Sequence, residues 1–116
     1  MKKETLNAYL TAHAKARKVA EKYYESGKVE RSGEAPSTET VEYLTTMIET
    51  IQIKEKTLPE IRKYLKELAV SDPQVMRALQ YFVIDGLPLI EACKRTDALE
   101  YKGILKRVSS ELEKLK

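Results

Sequence analysis

The sequence predicts an all-α protein of about six helices. Apolar residues recur at three- and four-residue spacing along most of the chain, which is the period of an amphipathic helix. The 116 residues include only four glycines and four prolines, too few for the many tight turns of a β-sandwich or β-barrel. The length fits one domain of the usual size, about 100–150 residues.

Composition and charge argue against a strongly basic, membrane-spanning or secreted protein. There are 21 Lys and Arg residues against 18 Asp and Glu, a net charge of +3, so the chain is only mildly basic. No apolar run approaches the roughly 20 residues that span a bilayer, and no apolar segment follows the N-terminal lysines as in a secretory signal. These observations predict a cytoplasmic protein that does not enter membranes.

The first helix is predicted over residues 4–25. Its apolar stripe consists of Leu6, Tyr9, Leu10, His13, Ala16, Ala20, Tyr23 and Tyr24. Residues 26–37 contain two glycines, a proline and three serines without apolar periodicity, so we expect a flexible linker there. The predicted division is a docking or oligomerisation arm over residues 1–37 and a helical domain over residues 38–116.

Two helices are predicted to follow the linker. The second begins near Thr38, capped by Ser37 or Thr38, with Val41, Leu44, Ile48 and Ile51 as its apolar stripe. Pro59 stands where a third helix would place its first residue, because proline has the backbone angle of that position and no N–H to lose.

Three further helices are predicted over residues 73–112. The fourth is capped either by Ser71, with Gln74 reaching back, or by Asp72, with Pro73 as the first helical residue. Asp85 and Gly86 end it near Ile84. A short fifth helix runs from Pro88 to about Arg95, and Thr96-Asp97 break the chain and cap a sixth helix with Ile104, Val108 and Leu112 on its apolar side.

The residues needed for catalysis or metal binding are scarce. One cysteine, Cys93, excludes an internal disulfide, and with His13 as the sole histidine it excludes a Cys/His zinc site. Cys93 lies among small and apolar residues, where we expect it to be buried. Glycine-rich phosphate loops and calcium-loop spacings are also missing. We therefore expect a protein that is not an enzyme and uses no metal, cofactor or small-molecule substrate.

The order of elements in residues 73–112 is that of a trihelical helix-turn-helix unit: a helix, a glycine turn, a short helix, a polar break and a basic helix. In such a unit the last helix enters the major groove of DNA. We expect base contacts, or contacts next to them, from Glu100, Tyr101 and Lys102, and phosphate contacts from Arg95, Lys106 and Arg107.

Val75 to Asp97, read as VMRALQYFVIDGLPLIEACKRTD, resembles the segment that precedes and opens the helix-turn-helix of PapB/FaeA-type adhesin-operon regulators. The residues that carry the likeness are Ala78, Tyr81, Phe82, Val83, Ile84, Gly86, Glu91 and Cys93. The region is also similar to plasmid repressors of the KorA/TrfB type, and the likeness extends over about residues 61–112. It implies a sequence-specific transcription regulator that binds double-stranded DNA as an oligomer.

Two hypotheses follow. The first is a DNA-binding regulator that associates as a homodimer or higher oligomer. The second is a non-enzymatic assembly or partner-binding protein, such as an accessory subunit of a phage or plasmid, in which the basic residues are solvated helix faces and the first helix is the interface. The two differ in whether the basic residues of the last helices share one face or alternate with Glu91, Glu100 and Glu111.

Overall fold

The computed structural model describes residues 1–25 and 37–116, and within them the regular structure is entirely helical, as predicted. The helices are α1 (Lys3–Glu25), α2 (Thr38–Ser71), α3 (Pro73–Leu79), α4 (Leu89–Thr96) and α5 (Tyr101–Glu113), and a π-helical turn (Gln80–Ile84) continues α3. The predicted linker lies outside the described residues except for Ser37.

The described residues form five α-helices rather than six, because the second and third predicted helices are one. Pro59 lies inside α2 and does not begin a new helix. An internal proline costs about 3 kcal/mol, since it lacks an N–H and its ring crowds the preceding turn. The burial of Thr57 and Ile61, which lie on either side of Pro59 in the sequence, offsets that cost. The continuous helix lets one element contact both α1 and the C-terminal helices.

Side-chain caps at the helix starts follow the sequence closely. The hydroxyl of Ser37 accepts the Thr40 N–H at 3.2 Å and begins α2. Asp72, and not Ser71, caps α3: its carboxylate accepts the Val75 N–H, and Pro73 is the first helical residue. Asp97 accepts two N–H groups at the turn before α5. These short polar side chains satisfy backbone donors that have no partner within the helix.

Helices α1 and α2 form an antiparallel hairpin. Tyr23 near the end of α1 stacks on Tyr43 near the start of α2, with ring centroids 4.4 Å apart. At the other end the Lys2 N–H donates to Glu60 at 3.3 Å. Tyr24, predicted to lie on the apolar stripe, is 71% exposed. The rest of the α1 stripe is directed toward α2 and the body of the same chain.

The side of α2 that meets α1 is not the one its apolar pattern predicts. The buried residues of α2 before Pro59 are threonines, namely Thr40, Thr46, Thr50 and Thr57. Two of their hydroxyls donate to backbone carbonyls four residues earlier at 2.7 Å, which leaves the methyl groups free to pack. The predicted stripe of Val41, Leu44, Ile48 and Ile51 is 51–57% exposed. This predicted apolar stripe therefore faces outward and not into the core.

The core has two connected parts. The first lies between α2, α3, α4 and α5 and contains Leu68, Val75, Ala78, Leu79, Cys93, Ile104 and Val108. The second fastens α1 to the body and contains Leu6, Tyr9, Ile61 and Val83. Phe82, Leu65 and Leu112 pack against both parts. Cys93 is fully buried, as expected from the sequence.

The turn between the π-helical segment and α4 depends on Gly86. Its φ is +73°, in the left-handed region that glycine occupies without a steric penalty. The Leu87 N–H donates back to the Tyr81 carbonyl at 3.1 Å, which closes the helix end. A Cβ on Gly86 would lie 2.5 Å from Nε2 of His13 on α1, so the turn and the N-terminal helix approach each other closely here.

Candidate nucleic-acid interface

Helices α3, α4 and α5 each contact the other two. Ile104 and Val108 on the inner side of α5 are completely buried, and α4 contributes Ala92 and Cys93 to the same interior. The segment from Asp97 to Glu100 joins α4 to α5, a length within the usual range for the turn of a helix-turn-helix motif. The inner side of α5 is therefore fixed, and its outer side is available to a ligand.

The outer side of α5 is open and basic. Lys102 and Lys106 are both exposed and lie one turn apart, about 6 Å along the helix axis. No described acidic side chain forms an ion pair with either ammonium group. Gly103 lies beside them, and a Cβ built on it meets nothing within 4 Å. Leu99, at the turn before α5, is 94% exposed.

Sequence reasoning did not select Leu99 and Gly103 as site residues. A glycine inside a helix costs about 1 kcal/mol relative to alanine, and no contact within the fold requires one at position 103. A glycine in the first turn of a helix, with no packing role, was the available signal, because such a residue leaves room for the close approach of another molecule. Leu99 gave no periodic signal, since it lies in the turn.

The start of α5 is held by an acidic side chain. Asp97 accepts the N–H groups of Leu99 at 3.0 Å and Glu100 at 3.2 Å. Glu100 is exposed beside these groups, so two carboxylates lie at this helix end. An acidic first turn is favourable for the helix dipole but repels phosphates. Phosphate contacts are therefore more favourable farther along α5 than at its N-terminus.

Two predicted contact residues, Tyr101 and Arg95, take part in cation–π contacts. Tyr101 is half-buried against the core, with the Lys94 ammonium 5.2 Å from its ring centroid. The Arg95 guanidinium lies 5.8 Å from the ring of Tyr81. Cation–π contacts of this kind order long basic side chains while leaving their N–H groups accessible. Tyr101 is consequently on the inner side of α5, away from Lys102.

Arg107 is bound within the fold. Its guanidinium contacts Asp72 at 2.7 Å and the side-chain oxygen of Gln74 at 2.6 Å, both at the start of α3. Asp72 also caps α3, so its contact with Arg107 connects α5 to the start of α3. Its position separates it from Lys102 and Lys106. The predicted basic contact residues therefore do not all share one face, which is the arrangement expected of an assembly protein; Lys102 and Lys106 are the pair that keeps the arrangement expected of a DNA-binding helix.

A basic cluster on α1 consists of Lys15, Arg17, Lys18 and Lys22, and three of these four residues form ion pairs. Two pairs connect α1 to α2 and one lies within α1: Lys15 with Glu49 (3.9 Å), Lys22 with Glu42 (3.7 Å) and Arg17 with Glu21 (3.4 Å). All these side chains are largely exposed, so each pair contributes little to stability. This cluster is a solvated helix face that also aligns the hairpin.

The described residues offer few groups for other chemistry. His13 accepts a hydrogen bond from the Lys54 ammonium at 3.2 Å and stacks on Tyr9. Burial, followed by the charges of Lys54 and Arg17, lowers its pKa, so the imidazole is held in its neutral form. Burial raises the pKa of the Cys93 thiol. Across residues 1–25 and 37–116, no group of three His, Cys, Asp or Glu side chains is placed to hold a metal ion, and no helix is long and apolar enough to cross a membrane.

No protein-family model, curated protein or solved structure matches the chain. A function for it therefore depends on what its own exposed surfaces can bind.

Proposed function

We propose that the protein binds double-stranded DNA through the outer side of α5 and acts as a transcription regulator. The observation that carries the proposal is that Lys102 and Lys106 are exposed, near the open position at Gly103, and form no ion pair with an acidic residue in the described part of the chain. The buried inner side of α5 and the four-residue turn after α4 support it, because a recognition helix must be held firmly by its neighbours.

The position of each lysine suggests its role. Residues in the first turns of a recognition helix reach base edges, and later residues meet the phosphate backbone. Lys102 lies in the first turn of α5, and Lys106 lies one turn later. Arg95 on α4 is a further phosphate contact in this proposal. The ring of Tyr81 orders its guanidinium group, and no described carboxylate forms an ion pair with that group. Arg107 supports the fold in this proposal, through Asp72 and Gln74.

The test is a titration of fluorescent duplex DNA of random sequence at several salt concentrations near and above 50 mM, followed by selection of a preferred sequence. Lys106→Ala should weaken binding to all sequences and reduce the log–log salt slope by about one unit. Lys102→Ala should lower affinity for the selected site by about 1–3 kcal/mol and relax preference at one base pair. Neither substitution should alter stability appreciably, since both side chains are exposed.

One control variant and one further test variant accompany them. Lys63→Ala removes an equally exposed lysine from α2 and should leave DNA binding unchanged. Gly103→Ala should raise helix stability by up to about 1 kcal/mol and weaken DNA binding, because a methyl group then occupies the open position. Undetectable binding at about 50 mM salt, or equal affinities for wild type, Lys102→Ala and Lys106→Ala, would refute the proposal.

A helical assembly protein is the second candidate function. The observation that favours it is the exposed aliphatic stripe on α2, which is unusual for a surface that only water covers. The two functions are compatible, because the stripe and the outer side of α5 are formed by different helices.

A further inference from the structure

We propose that the outer side of α2 binds the same surface of a second copy of this chain, with the two α2 helices antiparallel. The surface consists of Val41, Leu44, Ile48 and Ile51 and is called the α2 seam below. The proposal does not depend on DNA binding, since the α2 seam and α5 are separate surfaces.

The first argument is the inverted burial of α2. Toward α1 the helix buries threonines, and on the opposite side it exposes four branched aliphatic side chains. Exposing aliphatic groups while burying hydroxyl-bearing ones is unfavourable in a chain that remains alone in water. Together the four side chains expose roughly 400 Å², the scale at which an apolar patch marks an interaction site.

The second argument is the spacing of the α2 seam. Intervals of three, four and three residues follow the heptad pattern in which two helices pack along a narrow contact line. Val41 and Ile48 take the first apolar position of each heptad, and Leu44 and Ile51 take the second. Beside this line, Thr45, Met47 and Gln52 are uncharged, and the ammonium group of Lys54, at the next flanking position, is 3.2 Å from Nδ1 of His13 on its own α1. A second α2 can therefore approach without placing a charge in an apolar contact.

The third argument identifies the orientation. The next heptad position after Ile51 is Glu55. In a parallel pair, Glu55 would face the partner's Glu55 across the contact line, and like charges at this distance repel. In an antiparallel pair, Val41 faces the partner's Ile51 and Leu44 faces the partner's Ile48. Glu55 then lies beside the start of the partner's α2, where the helix dipole favours a negative charge.

The extent of the contact sets the expected affinity. The antiparallel overlap covers about 18 residues of each α2, or about 27 Å. Two α2 seams bury roughly 800 Å² of apolar surface, and the flanking residues bring the total toward about 1,200 Å², the lower end for a specific interface. We therefore expect a reversible dimer with a dissociation constant of about micromolar order.

The experiment measures the mass of the full chain by sedimentation equilibrium, without DNA, from about 1 µM to about 500 µM. Wild type should pass from 13.3 kDa to twice that mass as concentration rises. Ile48→Lys should remain at the monomer mass throughout, because it places two ammonium groups on the contact line. Its circular dichroism should match wild type, since Ile48 is exposed in the monomer.

Val70→Lys is the matched control. Val70 is on the same helix and is 88% exposed, but it lies far beyond the α2 seam, so this variant should dimerise like wild type. If wild type still has the monomer mass of 13.3 kDa at about 500 µM, the proposal is overturned. A chain whose α2 seam binds a different protein would give that result. An Ile48→Lys variant that dimerises like wild type also overturns the proposal.

Cross-linking tests the orientation. When Leu44→Cys and Ile48→Cys chains are mixed under mild oxidation, the antiparallel pair should give a disulfide between the two variants, and each variant alone should give little. Cys93 does not compete, because it is completely buried. Efficient cross-linking of each single variant with itself, and none between the two variants, would establish a parallel pair and overturn the antiparallel arrangement.

Discussion

Gly86 combines two constraints that a single methyl group would violate. Its φ of +73° is costly for any residue with a Cβ, by about 1 kcal/mol. A Cβ there would also lie 2.5 Å from Nε2 of His13, which real atoms do not tolerate. We therefore expect Gly86→Ala to destabilise the protein through both the turn and the contact with α1.

The size of the effect follows from what His13 must give up. To make room, its imidazole must leave the stacked position on Tyr9 and the hydrogen bond from Lys54, together worth about 1–2 kcal/mol for a half-buried pair of contacts. With the backbone term, the expected loss is about 2–3 kcal/mol. For a domain of this length, that loss lowers the melting temperature by roughly 10 °C.

Urea unfolding followed by circular dichroism measures the loss, and a double-mutant cycle separates its two parts. In a His13→Ala background the clash is absent, so Gly86→Ala should cost only the backbone term of about 1 kcal/mol. A cost below about 0.5 kcal/mol in wild type would contradict both parts of the reasoning. An equal cost in the two backgrounds would show that the contact between Gly86 and His13 is unimportant.

Three further predictions concern buried or half-buried polar groups. Tyr64→Phe should cost about 1 kcal/mol in urea unfolding, because the phenol donates to a Glu111 carboxylate oxygen at 2.9 Å and joins α2 to α5; an unchanged midpoint would contradict this. Because the pKa of His13 is lowered in the folded protein, its contribution to the free energy of unfolding should be fully present above about pH 6.5. That contribution should decrease as the pH falls below this value, since the unfolded chain then binds the proton more tightly. The free energy of unfolding of His13→Gln should therefore decrease less than that of wild type between pH 7.5 and 5.5. Cys93 should react with a thiol reagent only as fast as the protein unfolds, and Cys93→Ala should cost about 1–2 kcal/mol, so rapid labelling of the native chain would disprove its burial in solution.

Local signals in the sequence were sufficient for the helical class and for most helix starts. Ser37 was one of two caps predicted for the second helix and Asp72 one of two for the fourth, and each accepts a backbone N–H at the start of a helix. Asp97 was predicted to cap the last helix, but that helix begins at Tyr101, and Asp97 accepts N–H groups of the turn before it. Such caps depend on only a few neighbouring residues, so they are readable without a tertiary structure. The inner side of α5 was also predictable, because Ile104 and Val108 follow a simple helical period.

Pro59 and Arg107 show where local reasoning was insufficient. Proline favours a helix start, but burial of Thr57 and Ile61 on either side of Pro59 keeps α2 continuous. Arg107 has the sequence surroundings of a phosphate contact, and only the fold brings it to Asp72 and Gln74, about 35 residues earlier in the chain. In both cases the decisive contacts are between residues distant in sequence.

The sequence by itself determined that the chain is helical from about Thr38 and carries an aliphatic stripe there, but not that this helix continues through Pro59. Only the tertiary structure decided which side meets α1. Apolar periodicity favoured the aliphatic side, as it would for a helix with one apolar face and one partner. Thr50 and Thr57 can nevertheless be buried cheaply, because their hydroxyls bond to carbonyls of their own helix and present methyl groups to α1. The aliphatic side therefore lies outward, because α1 is already packed against the threonine side of the same helix.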